Sequence, residues 1–187
     1  MTTFIPRDTS PSNDNLYYIK RNSTFNGYNR CIIINNTTGS VLPNCTGYAW
    51  GRFCECQENV HDCKLSRANA EKWYLNTGDG YSRGSTPKLG AVICWHSTRS
   101  GGHVAIVEEI LEDGKIVTSN SAYGGKRFYM RTLKPPTYKM GSSYTFQGFI
   151  YNPTEFSGST PVPTPGEITK RKKFPFVLYA RKLRSKY

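Results

Sequence analysis

Acidic side chains are scarce: 13 Asp and Glu stand against 25 Lys and Arg in 187 residues, a formal charge of +12. Eight of the basic residues fall between Lys170 and Lys186 with no acid among them, which leaves only about +4 for the rest. The basicity is therefore mostly a property of the C-terminal tail. It suits either plain solubility or an anionic polymer as partner. No stretch approaches the ~20 apolar residues that cross a bilayer, so a spanning helix is excluded. Met1 to Asp8 has no basic start followed by an apolar run, so it is not expected to be a secretory signal. The glycine-rich stretch Gly78 to Gly84 lacks the Gly-Lys-Ser/Thr ending of a phosphate loop and has no helix after it. Histidine is rare, with only His61, His96 and His103. The number of candidate general bases is small for that reason.

Six cysteines are present: Cys31, Cys45, Cys54, Cys56, Cys63 and Cys94. The chain is too long for a disulfide-stapled miniprotein, so reduced thiols are expected. Cys54-Glu55-Cys56 with His61 and Cys63 is tighter than the usual zinc spacing and is read as small buried cysteines, with no metal expected.

Cys45 stands apart. Pro43 ends a polar loop, Asn44 can cap, and Cys45 opens a helical run through Trp50 and Arg52. Backbone N–H groups at a helix start favour a thiolate. Gly101-Gly102-His103 leads into the apolar run Val104 to Val107, offering a base. Val117 to Ser121 offers Asn120, which can accept a hydrogen bond from the imidazole and fix its tautomer. A cysteine, a histidine and an asparagine in that order on separate elements follow the logic of a papain-like thiol hydrolase. His96 is the second candidate for the base. Asn120 also has a plain reading, as a turn residue before Ser121 and Gly124. The oxyanion donors are the Cys45 backbone N–H and the Asn44 side chain, although Asn44 also has a reading as a cap alone. Trp95, His96 and Tyr123 are expected to line the cleft, whereas Trp50 and Cys94 read as core.

Three blocks carry a resemblance to the CHAP domains, the cysteine, histidine-dependent amidohydrolases/peptidases. They are Asn44 to Arg52, then Pro87 to Trp95 followed by Gly102 to Val107, then Ser119 to Gly125. Their order covers roughly Asn15 to Pro153. The resemblance implies an α+β, papain-like fold with N-terminal helices on an antiparallel sheet of five to six strands. It implies catalysis by Cys45, His103 and Asn120 on an amide of bacterial peptidoglycan, as amidase or endopeptidase. No carboxylate lies between Thr37 and Asn44, so the calcium segment of some relatives is not expected, nor is any cofactor.

Along the chain, residues 1–14 read as a loose leader, 15–153 as the catalytic domain, 154–168 as a Pro/Ser/Thr/Gly linker and 169–187 as a basic aromatic tail. Helices are expected over Cys45 to Cys54 and Ser66 to Tyr74. Strands are expected over Ala91–His96, Val104–Leu111, Lys115–Ser121, Lys126–Leu133 and Thr145–Asn152, with Glu112-Asp113-Gly114 as a hairpin turn. Cys31 to Ile34 adds a short apolar run. Helices followed by an antiparallel sheet form the α+β pattern. The setting implied by the resemblance is a phage endolysin or a virion-associated lysin. The protein would stay in the host cytoplasm until holin-mediated release, or ride on the virion tail. A second reading makes the chain a structural tail component with a CHAP-like scaffold. In either reading the tail Lys170–Tyr187 offers a contact for anionic wall polymers or a virion protein. Nucleic acid is not the expected partner, since no DNA or RNA module is visible.

Overall fold

The computed structural model describes residues 2–21, 24–31, 39–57 and 63–157. His61, most of the Cys31 to Ile34 run, most of the linker and the whole basic tail lie outside the described residues.

The longest helix among the described residues is α1, Cys45–Glu55. Asn44 caps it, its side-chain oxygen accepting the Gly47 N–H at 3.0 Å. That satisfies one of the donors a helix start leaves open. Tyr48, Ala49, Trp50, Phe53 and Cys54 are all buried. Gly51 lets the chain around Tyr17 lie directly against the helix: a Cβ there would sit 2.6 Å from the Tyr17 carbonyl oxygen.

The sheet has six antiparallel strands in the order β2-β7-β3-β4-β5-β6. The strands are β2 Arg83–Gly84, β3 Val92–Ser97, β4 His103–Ile110, β5 Ile116–Asn120, β6 Tyr129–Leu133 and β7 Tyr144–Ile150. Five of these fall where the sequence pattern places strands, and Glu112 to Gly114 joins β4 to β5, with Gly114 at φ +76°. The period of two splits the core between the two faces. Val92, Cys94, Val104 and Ile106 join Trp50, Phe53 and Trp73 in one cluster. Ile93, Trp95, Ala105 and Val107 join Ile116, Tyr138 and Phe149 in another. β3 and β4 are buried on both faces, which is why they read as continuous apolar runs.

The expected second helix is not formed. Ala70–Lys72 makes one 3₁₀ turn, and Asn69 before it makes no side-chain cap. The backbone finds partners elsewhere. The Trp73 indole N–H takes the Ala68 carbonyl at 2.9 Å. Arg83 donates to the carbonyls of Trp73, Tyr74 and Asn76 while paired with the buried Asp79. Ser66, expected as the cap, accepts from the Ala68 N–H and the Asn76 side chain.

The N-terminal segment, read from sequence as a loose leader, packs on the domain. Phe4 is buried and meets Phe156 edge to face at 4.9 Å. Strand β1, Thr2–Thr3, pairs in parallel with β8, Phe156–Ser157. The packed chain thus runs past 153 into what reads as linker. A buried cluster ties the segment to α1 and β4. Arg52 pairs with both Glu108 (2.9 Å) and Glu55 (3.0 Å), and Arg7 pairs with Glu55. The Arg7 backbone N–H and the Ser119 hydroxyl donate to Glu108. Burial disfavours the Glu55 carboxylate, yet Arg52 and Arg7 outweigh it and hold its pKa below the usual range.

Candidate active site

The antiparallel register gathers one set of strand ends together. Trp95 near the end of β3 lies opposite His103 at the start of β4. Asn120 at the end of β5 lies opposite Tyr129 at the start of β6. Ser97 lies opposite Tyr144 at the start of β7. The start of α1 faces this end of the sheet. A cleft of about 570 Å³ opens there, and Asn44, Cys45, His103, Tyr123, Tyr129 and Tyr144 are among its lining residues.

Cys45 is the first residue of α1 and lines the cleft. The Gly47 and Tyr48 N–H groups are taken by the Asn44 side chain and carbonyl. The amides of Cys45 and Thr46, with that of Val104, act on the thiol and lower its pKa. Burial is the larger effect and pushes the thiol up to about 11. The helix start does favour the thiolate, as its sequence position implies, but it does not win. At neutral pH the resting cysteine is a thiol.

His103 is 6% exposed. Gly102 sets its position. A Cβ on Gly102 would sit 2.6 Å from both the Glu71 nitrogen and the Trp95 oxygen, and its φ is +80°. Only glycine meets both demands. The Glu71 N–H donates to the Gly101 carbonyl at 2.9 Å, so the 3₁₀ turn holds the loop in front of His103. The imidazole lies 5.7 Å from the Trp95 ring and 6.4 Å from the Tyr144 ring, centre to centre. Burial lowers its pKa to about 4, with the Arg131 charge adding to the effect and the Asn120 hydrogen bond opposing it.

Asn120 is fully buried, and its Oδ1 lies 3.1 Å from His103 Nε2. Its Nδ2 donates to the Thr118 carbonyl and the Thr118 hydroxyl, both at 3.0 Å. The amide therefore presents oxygen to the histidine, and His103 must carry its proton on Nε2. Nδ1 is left unprotonated, able to accept a proton. Ser121 accepts the Asn44 N–H at 3.0 Å, tying the end of β5 to the helix cap.

Not every sequence candidate reaches the cleft. Asn44 and Tyr123 do, Tyr123 at the rim and 78% exposed. Asn44 holds its oxygen on the Gly47 N–H and the Thr46 hydroxyl, so its carbonyl oxygen is committed to the cap. Trp95 and His96 are not among the cleft-lining residues. Trp95 is buried in the core with its indole N–H on the Tyr138 carbonyl at 2.8 Å, because β3 alternation turns it toward Ile93 and Phe149. His96, next along the strand, is exposed. Sequence reasoning missed Tyr129, Tyr144 and Met140, which strand register and the loop after Tyr138 bring to the cleft. Their types and spacing carry no signal of this.

Residues 35–122 match the model of the CHAP domain family. This range holds Cys45, His103 and Asn120 but not Tyr129 or Tyr144. A Streptococcus mutans serotype c protein named "Putative hydrolase" is 41% identical over 63 residues, covering 29% of each chain. Among solved structures, an N-acetylmuramoyl-L-alanine amidase from Staphylococcus aureus is similar at 24% identity with a TM-score of 0.43, over 57% of this chain and 30% of that one. The chain thus spans about three tenths of the length of each.

Proposed function

We propose that this chain, which carries a CHAP domain, is a peptidoglycan hydrolase that cleaves an amide bond through a Cys45–His103–Asn120 centre. The observation that carries the reading is a cysteine at a capped helix start sharing one cleft with His103, which is hydrogen-bonded from behind to the buried Asn120. An accessible thiol, a base and an orienting group are what nucleophilic amide cleavage needs.

The resting pair is neutral on both sides, so the thiol proton moves as the reaction begins. His103 Nδ1 takes it while Sγ bonds to the amide carbonyl carbon. Negative charge gathers on the carbonyl oxygen, where the Cys45 and Thr46 amides at the start of α1, which face the thiol, are the candidate donors. Asn120 holds the Nε2–H and so orients the imidazolium that forms. The imidazolium then protonates the leaving nitrogen, the C–N bond breaks, and an acyl thioester remains on Cys45. Water attacks the thioester, His103 takes its proton, and the thiol is restored with release of the acid. Tyr123, Tyr129 and Tyr144 give the cleft an aromatic wall on which a sugar ring or an aliphatic stem residue can rest.

The papain-like description, the phage setting and release through a holin belong to the same reading. A bacterial wall is the substrate, and the basic tail Lys170–Tyr187 would favour anionic wall polymers. Digestion of purified Gram-positive peptidoglycan tests the reading, with fragments analysed by mass spectrometry. The wild type is expected to release fragments with new amine and carboxyl ends, and Cys45→Ala to release none. Those ends separate amidase from endopeptidase. Equal release by both proteins would overturn the thiol mechanism.

A further inference from the structure

We infer that Thr118 is a positioning residue which, with two main-chain carbonyls, makes position 120 specific for an amide and so dictates which nitrogen of His103 stays unprotonated. The consequence for catalysis rests on the thiol-hydrolase reading above; the hydrogen-bond polarity itself does not.

The chain of bonds begins at a group that can only accept. The Arg131 carbonyl in β6 takes the Thr118 hydroxyl proton at 3.1 Å. The Thr118 oxygen then has only lone pairs left for its other neighbour. That neighbour is Asn120 Nδ2, 3.0 Å away, which also donates to the Thr118 carbonyl at 3.0 Å and approaches the Tyr129 carbonyl at 3.5 Å. Among the described residues, the hydrogen-bond partners on the far side of the residue 120 side chain are these three acceptors. Thr118 and Asn120 are both fully buried, so water does not compete. An amide flipped end for end would set its oxygen against those three acceptors. Instead Oδ1 faces His103, whose Nε2 lies 3.1 Å away and must donate. The direction of every proton in the relay is thus set by a backbone carbonyl one strand beyond the site.

The same geometry explains why a carboxylate does not suit this position. An aspartate at 120 would accept from His103 with one oxygen. Its other oxygen would meet the carbonyls of Thr118 and Tyr129 and an already committed hydroxyl. A buried negative charge facing lone pairs is strongly disfavoured. The carboxyl would instead hold a proton and give it to the Thr118 carbonyl, copying the amide.

The experiment uses the full chain with ¹⁵N-labelled histidine. Two-dimensional NMR reads which ring nitrogen of His103 is protonated in wild type, Thr118→Val, Thr118→Ser and Asn120→Asp. Thermal melts check that each variant folds. The wild type is expected to show a single Nε2–H tautomer, Thr118→Ser to keep it, and Thr118→Val to give a mixture. In wall digestion Thr118→Val is expected to lose about tenfold in kcat with KM little changed, one buried hydrogen bond's worth, and serine to restore it. Asn120→Asp is expected to leave His103 neutral at pH 7 with its proton still on Nε2, the new carboxyl staying protonated as it copies the amide. An unchanged tautomer in Thr118→Val, or an imidazolium at pH 7 in Asn120→Asp, would overturn the inference. If Thr118→Val does not fold, the Asn120→Asp spectrum decides alone. If wild type cleaves no wall, the functional reading fails, while the spectra still decide the polarity of the relay.

Discussion

His103 and Cys45 differ from their ordinary chemistry in opposite directions for one reason. Burial disfavours charge on both, so the imidazole falls to about 4 and the thiol rises to about 11. The histidine has a consequence for folding. Between about pH 6.5, its ordinary value, and about pH 4 the unfolded chain binds a proton at His103 that the folded chain does not. Stability therefore rises with pH across that window and is lost as pH falls through it. At pH 5 this amounts to roughly 2 kcal/mol relative to pH 7. Urea unfolding at the two pH values is expected to show that extra loss in wild type and to lack it in His103→Gln. An equal loss in both would mean that the imidazole is not held neutral. At this scale the sequence was informative where a residue type is rare and its neighbours are unusual. Cys45 follows a cap, His103 follows two glycines, and both line the cleft. It was misleading at Trp95, whose side depends on the phase of β3, and silent at Tyr129 and Tyr144, which look like any strand tyrosines.

Among the elements, the strands were readable because β3 and β4 are continuous apolar runs and the turn at Gly114 is unambiguous. The stretch Ser66 to Tyr74 was not. Its composition favours a helix, but Arg83, from a strand ten residues away, supplies donors for the carbonyls, and Trp73 is drawn into the core. Local propensity gives way to tertiary partners there. The resulting single turn has a role a longer helix would not easily fill. Its Glu71 N–H holds the Gly101 carbonyl, and the Gln147 side chain donates to the Glu71 carbonyl at 3.1 Å, linking the turn to β7. Gly102 sits in the gap between the turn and β3. Gly102→Ala is expected to force the two backbones apart, costing about 2 kcal/mol or more through overpacking and the positive φ. It should lower wall-cleaving activity at least tenfold by displacing His103. Gly101→Ala is the control, since a Cβ there would meet nothing closer than 3.5 Å, at the Asn69 side chain. Equal effects from the two substitutions would show that the close approach at Gly102 does not place the histidine.

Taken as a whole, the molecule joins the cleft to a buried ionic cluster at the other end of α1. Arg52 lies seven residues along the helix from Cys45. It holds Glu108 of β4, the strand that begins at His103, and Glu55 with its partner Arg7 of the N-terminal segment. Ser119, next to Asn120, also donates to Glu108. Helix, strands β4 and β5 and N-terminal segment are thus tied together, and breaking such a cluster on one side would leave a buried charge unpaired. The sequence announced Arg52 only as the end of a motif and gave no hint of Glu108, because the pairing depends on how helix and sheet dock. The other five cysteines are each buried to 8% exposure or less, whereas Cys45 is partly open to the cleft. The central claim is that this one thiol carries the reaction. It is tested most directly by titrating the native protein with iodoacetamide, mapping each modified cysteine by mass spectrometry, and following peptidoglycan cleavage in the same samples. Activity is expected to fall in proportion to Cys45 occupancy while Cys31, Cys54, Cys56, Cys63 and Cys94 stay unmodified. Undiminished cleavage by protein fully modified at Cys45 would contradict the account.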